Sequence, residues 1–295
     1  MGVTGRQDVR IPSHGEMLAA YLYRPDNARR VPCVVMAHGF SATRDDGLPA
    51  YAEAFQRAGY AVILFDYRYF GASSGEPRQL IDIASEQADY RAVVDWARHD
   101  DGIDPDRIVV WGSSFSGGLA LEVAAGDPRI AAVIAQAPFT DSIATIRGMP
   151  ARNVLRAGVD AMIDRAGALL GRPPKYIPAV GASGSFAVMT APGAKSGFQA
   201  LVGPDSLWRN EVSARVILAI TGFRPGRRAA GLGMPVLFCV CDADAETPPG
   251  PSIKAAGRAP KGELRRYPYG HFEIYHDPRV KADQVEFLSR VVPTN

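Results

Sequence analysis

The residues with the greatest chemical promise are a serine in a tight turn and two polar groups far downstream of it. The run Ile108-Val109-Val110-Trp111-Gly112-Ser113-Ser114-Phe115-Ser116-Gly117-Gly118-Leu119-Ala120 starts apolar and β-branched, crosses a cluster of small residues, and enters an Ala/Leu-rich segment. That order predicts strand, tight turn and helix with a serine at the apex, the context of a nucleophile elbow. The turn crowds the residues two before and two after the nucleophile, so both must be small. Gly112 and Ser116 meet this need around Ser114, whereas Trp111 and Phe115 do not around Ser113. Ser116, between Ser114 and Gly118, meets it as well but lies further from the strand end, and it stays as the alternative. A Gly/Ser-rich turn with no chemistry looks the same in isolation. A serine hydroxyl is a weak nucleophile that needs a base, and the base needs an orienting carboxylate. The segments Cys241-Asp242-Ala243-Asp244-Ala245-Glu246-Thr247-Pro248 and Tyr269-Gly270-His271-Phe272-Glu273 offer both.

The elements that must hold these groups follow from periodicity. Asp8 to Pro12 and Leu18 to Tyr23 predict a hairpin, with His14 in its turn. Val31 to Ala37, Ala61 to Phe65, Ile130 to Gln136 and Pro235 to Val240 are apolar throughout, as strands covered on both faces should be. Helices are expected over Pro49 to Ala58, Gln79 to His99, Pro251 to Ala259 and Pro278 to Val292, and a further strand over Glu263 to Tyr267. His99 falls at a helix C-terminus, where the dipole favours a cation, and receives no catalytic role. Asp104-Pro105-Asp106 predicts a turn into the elbow strand. Alternation of strand and helix implies an α/β fold, a mostly parallel sheet with helices on both faces. Ligands of such sheets bind beyond the carboxyl ends of the strands, where the serine, acid and histidine segments all stand. The pattern breaks from about Thr140 to Leu232, with weak helical stretches near Arg152 to Leu170 and Leu207 to Ala219. The chain is therefore divided into a core, 1–139 and 234–295, and an inserted cap, 140–233.

With His38-Gly39-Phe40, the loop after Asp66, the elbow, Asp244 before Thr247-Pro248, and Gly270-His271 in this order, the chain resembles an α/β-hydrolase. It is most similar to the branch of dienelactone-hydrolase-like and X-Pro-dipeptidyl-peptidase-like serine hydrolases, over about residues 8–139 and 234–293. Ser116 departs from the glycine usual after the elbow serine. The resemblance implies that Ser114 is the nucleophile, His271 the general base and acid, and Asp244 the orienting acid, with Asp242 in reserve. It implies an oxyanion hole from the backbone N–H groups of Phe40 and Phe115. It gives His38 a structural role, and His276 reads as a helix boundary. Phe40, Tyr67, Tyr69 and Phe70 either line an apolar acyl or aryl pocket or pack the loops on one another.

At 295 residues with 47% hydrophobic and 22% charged residues, the chain has the composition of a soluble globular protein. Its net charge of +2 argues against a nucleic-acid partner. No apolar stretch reaches transmembrane length, and Met1 to Asp8 has no signal core, so a cytoplasmic protein without a membrane partner is expected. Cys33, Cys239 and Cys241 read as buried free thiols rather than metal ligands. Between Ser142 and Ala230 twelve Lys/Arg stand against four Asp/Glu, a local charge of +8 that suggests either an anionic substrate or a solvated arginine-rich surface. The expected activity is hydrolysis of carboxylic esters, thioesters or lactones through an acyl-enzyme, with a small-molecule acyl substrate and no cofactor or metal. A homodimer is the other partner considered. An aminopeptidase or amidase keeps the same triad; an inactive binding member of the fold would have no need of it.

Overall fold

Apolar runs that are too short for helices and buried at every residue form the middle of the molecule. The computed structural model describes residues 5–26 and 30–294. The N-terminal reading falls partly on residues 1–4, which lie outside the described residues. The first half of the chain gives β1 (Arg6–Ser13), β2 (Glu16–Tyr23), β3 (Val31–Ala37), α1 (Pro49–Arg57), β4 (Ala61–Phe65) and α2 (Ile83–Arg98). The elbow region gives β5 (Ile103–Ser113), α3 (Phe115–Ala125) and β6 (Ala132–Gln136). Then come α4 (Ser142–Arg147), α5 (Ala151–Leu169), β7 (Tyr176–Ile177), α6 (Ala194–Leu201), β8 (Val212–Ser213) and α7 (Val216–Ile220). A 3₁₀ turn at Pro225–Gly231 leads to β9 (Val236–Cys241), α8 (Pro249–Ala256), β10 (Gly262–Tyr267) and α9 (Pro278–Val291).

Eight strands form one sheet in the order β1-β2-β4-β3-β5-β6-β9-β10. From β4 to β10 all neighbours are parallel, and only the β1–β2 hairpin and its join to β4 are antiparallel. This is the α/β-hydrolase arrangement expected above. β3, β4, β6 and β9 are buried at every position, which is why their sequences carry no alternation. Trp111 of β5 packs against Tyr51 of α1 and donates its indole N–H to Gln284 of α9 at 2.8 Å.

Four expectations need correction. α2 starts at Ile83 rather than Gln79, because the Asp82 carboxylate caps it by accepting from the Ser85 amide at 2.8 Å. Asp104-Pro105-Asp106 lies inside β5 as a bulge, where pairing jumps from Val31↔Ile103 to Cys33↔Ile108. The helix expected from Leu207 shrinks to α7, since Ser213 is drawn into extended structure by bonding to the Gln79 carbonyl at 2.9 Å and pairing with Tyr176. α4 and α6 went unrecognised, being short, with glycine or proline at their boundaries.

A buried polar relay runs beneath the elbow. Gln284 accepts from Trp111 and donates to the Gln136 side-chain oxygen at 2.8 Å, and Gln136 donates to the Ser113 hydroxyl at 3.3 Å. Tyr275 reaches the same hydroxyl at 2.6 Å. Every member is fully or almost fully buried, so each lost bond strands a partner away from water. Gln284→Leu is expected to destabilise the fold by about 1–3 kcal/mol, read as a lower urea midpoint at unchanged slope.

Candidate active site

The elbow has the geometry that its small residues demand. Ser114 joins β5 to α3 with φ 56° and ψ −120°, a conformation that L-residues rarely adopt. Its amide donates to the Gln136 carbonyl at 2.9 Å, and its carbonyl accepts from the amides of Phe139 at 2.8 Å and Gly117 at 3.0 Å. A Cβ on Gly112 would stand 2.0 Å from the Ser116 carbonyl oxygen, so residue 112 has room for nothing larger. A Cβ on Gly39 would stand 3.1 Å from the Ser114 Cβ, which brings the His38-Gly39-Phe40 turn against the serine.

Three side chains from distant parts of the sequence meet here. His271 Nε2 lies 2.9 Å from Ser114 Oγ, and its Nδ1 lies 2.7 Å from Asp244 Oδ2. Asp244 Oδ1 accepts from the amides of Glu246 at 2.9 Å and Thr247 at 2.7 Å. The Thr247 hydroxyl stands 2.8 Å from Asp244 Oδ2. An ionised carboxylate at Nδ1 selects the tautomer with the proton on Nδ1, leaving Nε2 as an acceptor toward the serine. Burial alone would depress the His271 pKa; the charge and hydrogen bond of Asp244, with Glu246 and Glu273 adding, outweigh it and raise it above 6.5.

The alternatives stand elsewhere. Ser116 Oγ is engaged by the His38 carbonyl and by the Tyr67 hydroxyl, the latter at 2.8 Å. Asp242 is exposed and pairs with Arg266 at 2.7 Å. His276 is exposed just before α9, and exposed His99 bonds the Asp95 carbonyl. Burial pushes His38 down to about 4, so it is neutral. Its Nε2 accepts from the Tyr67 amide at 3.4 Å and its Nδ1 donates to the Gly39 carbonyl at 3.0 Å. Among the described residues, the amides of Phe40 and Phe115 donate to no protein acceptor.

Two cavities flank the serine and histidine. The inner one, about 180 Å³, has Ser114, Phe40, Phe115 and Phe139 on the core side. Its far wall is Met149, Val154, Met189, Ile217 and Ile220, all from the segment between β6 and β9. The outer one, about 340 Å³, is lined by His271, Glu246, Glu273 and the start of α6. Tyr67, Tyr69 and Phe70 belong to neither. Tyr67 and Phe70 are buried edge-on against His38, while Phe40 lines the inner cavity, so of the four aromatic residues only Phe40 is at a cavity (a correction to the pocket reading).

Neither cavity has a lysine or arginine in its lining, so the anionic-substrate reading finds no partner there. Three of the basic residues of that segment are instead engaged structurally: Arg215 with Asp164 at 2.7 Å, Lys175 with Asp160 at 2.5 Å, and Arg224 with Asp141 at 2.5 Å. Sequence reasoning missed Glu246, a carboxyl at both cavities whose pKa burial raises, and which accepts from the Ala191 amide at 3.0 Å. Its only sequence signal is its place between Asp244 and Thr247.

Among the described residues, no helix is long and apolar enough to cross a membrane. A model of the X-Pro dipeptidyl-peptidase (S15) family matches residues 14–174. The chain is 45% identical over 289 residues to the quorum-quenching protein AidA of Acinetobacter baumannii (strain MDR-ZJ06), covering 97% of this chain and 95% of that one. It is 41% identical over 111 residues to the thiohydrolase aneE of Aspergillus aculeatus, covering 38% of this chain and 35% of that one. The crystal structure of the α/β-hydrolase GrgF from Penicillium sp. sh18 superposes with a TM-score of 0.84 at 27% identity, covering 97% and 98% of the two chains. Profile, sequence and fold thus agree: this is a hydrolase of the X-Pro dipeptidyl-peptidase (S15) family, within the α/β-hydrolase superfamily.

Proposed function

We propose that the chain is a serine hydrolase that cleaves carboxylic esters, thioesters or lactones with Ser114, His271 and Asp244. The observation that carries this reading is the continuous bonding from Asp244 through His271 to Ser114, at 2.7 and 2.9 Å. Ser114 Oγ attacks the carbonyl carbon while His271 Nε2 takes its proton. The negative charge that develops on the carbonyl oxygen is received by the amides of Phe40 and Phe115. Collapse of the intermediate expels the alcohol or thiol, which leaves with the proton from Nε2. Water, deprotonated in turn by His271, then releases the acid from Ser114.

The inner cavity is the acyl site, since apolar side chains dominate its walls on both sides of the serine, with Glu246 the one charged group there. The segment 140–233 acts as a cap, supplying the far wall of that site. The thiohydrolase among the relatives supports thioesters within the substrate class. One observation favours the amidase alternative: Glu246 and Glu273 put carboxyls in the outer cavity, where an amine would be welcome.

A fluorophosphonate probe is expected to label Ser114 and to miss Ser114→Ala, whose kcat falls roughly ten-thousandfold or more. Labelling that persists would transfer the role to another hydroxyl. Since neutral His271 is the active form and its pKa is raised, the acid limb of kcat/KM falls above pH 6.5, activity being lost as pH drops through it. In Asp244→Asn that limb moves to lower pH, and kcat falls by about ten-thousandfold. p-Nitrophenyl esters of graded chain length, assayed beside aminoacyl anilides, separate the two substrate classes: esters are expected to turn over faster.

A further inference from the structure

Ser116 stands where glycine is usual after an elbow serine, and its hydroxyl lines neither cavity. It is fully buried in the first turn of α3. A hydroxyl in that position needs partners, and this one has two. Its proton goes to the His38 carbonyl oxygen, an atom that can only accept. With that proton committed, the Tyr67 hydroxyl at 2.8 Å is the donor to Ser116 Oγ. Burial holds the Tyr67 phenol well above its ordinary pKa, so it keeps its proton for this bond. Both bonds bear on Gly39. The peptide from His38 to Gly39 is held at its carbonyl by Ser116. The next peptide, from Gly39 to Phe40, is held at its carbonyl by His38 Nδ1 at 3.0 Å and by the Ala42 amide at 3.3 Å. In a trans peptide the N–H points opposite to the C=O, so fixing the Gly39 carbonyl aims the Phe40 N–H. A glycine between free peptide planes swings easily, whereas here both planes are pinned.

We propose that Ser116 is a positioning residue that sets the two oxyanion donors in register with each other. It follows Phe115 directly, so its backbone shares the first turn of α3 with one donor amide. Its side chain meanwhile fixes the loop that aims the other, the amide of Phe40. The inference rests on the proposed function, in which these two amides receive the charge on the carbonyl oxygen. Such donors act by being fixed before the charge develops, and a misplacement of about 1 Å costs roughly a hundredfold in rate. The role also accounts for Tyr67, which lies away from both cavities yet holds the Ser116 hydroxyl in place. Glycine at 116 removes this side-chain bond between α3 and the loop, and leaves the His38 carbonyl and the Tyr67 hydroxyl without it.

Ser116→Ala and Ser116→Gly are expected to lower kcat/KM for a p-nitrophenyl ester roughly ten- to a hundredfold, with unchanged far-UV circular dichroism. Two inhibitors separate positioning from general shape. An alkyl trifluoromethyl ketone adds to the serine and places an oxyanion on the donors, whereas the corresponding secondary alcohol cannot. The inhibition constant of the ketone is expected to rise by the factor that kcat/KM loses, and that of the alcohol to stay within about twofold. The acid limb of the pH profile stays in place, because His271 and Asp244 are untouched. Ser114→Ala, assayed alongside, keeps the two readings apart. Activity that survives Ser114→Ala overturns the proposed function and takes this inference with it. Activity that depends on Ser114 but is unchanged in Ser116→Ala, with ketone binding unchanged, overturns this inference alone. Equal loss of ketone and alcohol binding overturns it too, since Ser116 then serves only the shape of the site. Should the variants at 116 not fold, Tyr67→Phe decides: kcat/KM is expected to fall roughly fivefold, the effect of losing one hydrogen bond, and an unchanged value overturns the inference.

Discussion

The site depends on one backbone conformation. Holding Ser114 at φ 56° costs about 1–3 kcal/mol, and such a residue persists only where its surroundings over-determine it. They do so here: the amide and the carbonyl of Ser114 are both bonded, to Gln136 and to Phe139 and Gly117. Gly112 gives the chain room to turn, and the glutamine relay props the strands from below. The reward is that the hydroxyl stands clear of the strand and of the helix that follows, facing the imidazole.

The second balance is electrostatic. His271 is buried, which by itself disfavours its cation, yet the Asp244 carboxylate reverses the outcome. A buried carboxylate needs its own partners, and Asp244 has two amides and a hydroxyl. The loop that carries it is therefore as tightly specified as the elbow. The one hydroxyl proton of Thr247 stands between the Asp244 carboxylate, at 2.8 Å, and the Ala137 carbonyl, at 3.0 Å, at the junction of the ends of β9 and β6. His38 shows the contrasting case, where burial with no facing carboxylate within bonding distance leaves a neutral ring that holds the shape of a turn.

Much of this was legible from residue types. Uniformly apolar runs mark β3, β4, β6 and β9 because full burial removes any alternation, while steric crowding at the elbow sets Ser114 apart from Ser113 and distance from the strand end sets it apart from Ser116. Strand ends carry Asp244 and His271 to the same side of the sheet. What resisted reading is what distant contacts decide. Tyr67 and Phe70 follow a strand end as Phe40 does, but which side of the His38 turn they pack on is set in three dimensions. The extended stretch at Val212–Ser213 overrides local helical preference because its bonding partners are Gln79, Tyr176 and Asp164, far away in sequence. Local charge misled for the same reason: no lysine or arginine lines either cavity, and Arg215 and Arg224 pair elsewhere.

The relay under the elbow has a bearing on how the molecule comes into being. Gln284, which joins Trp111 to Gln136, is carried by α9, about 170 residues after the serine it helps to support. Domains generally fold as units during synthesis. A nascent chain whose β3, β4 and β5 have emerged still lacks the amide that satisfies Trp111. The imidazole, on the loop after β10, is equally late. The surroundings of Ser114 are thus completed late, and a chain halted before residue 271 would present that serine without the imidazole it faces.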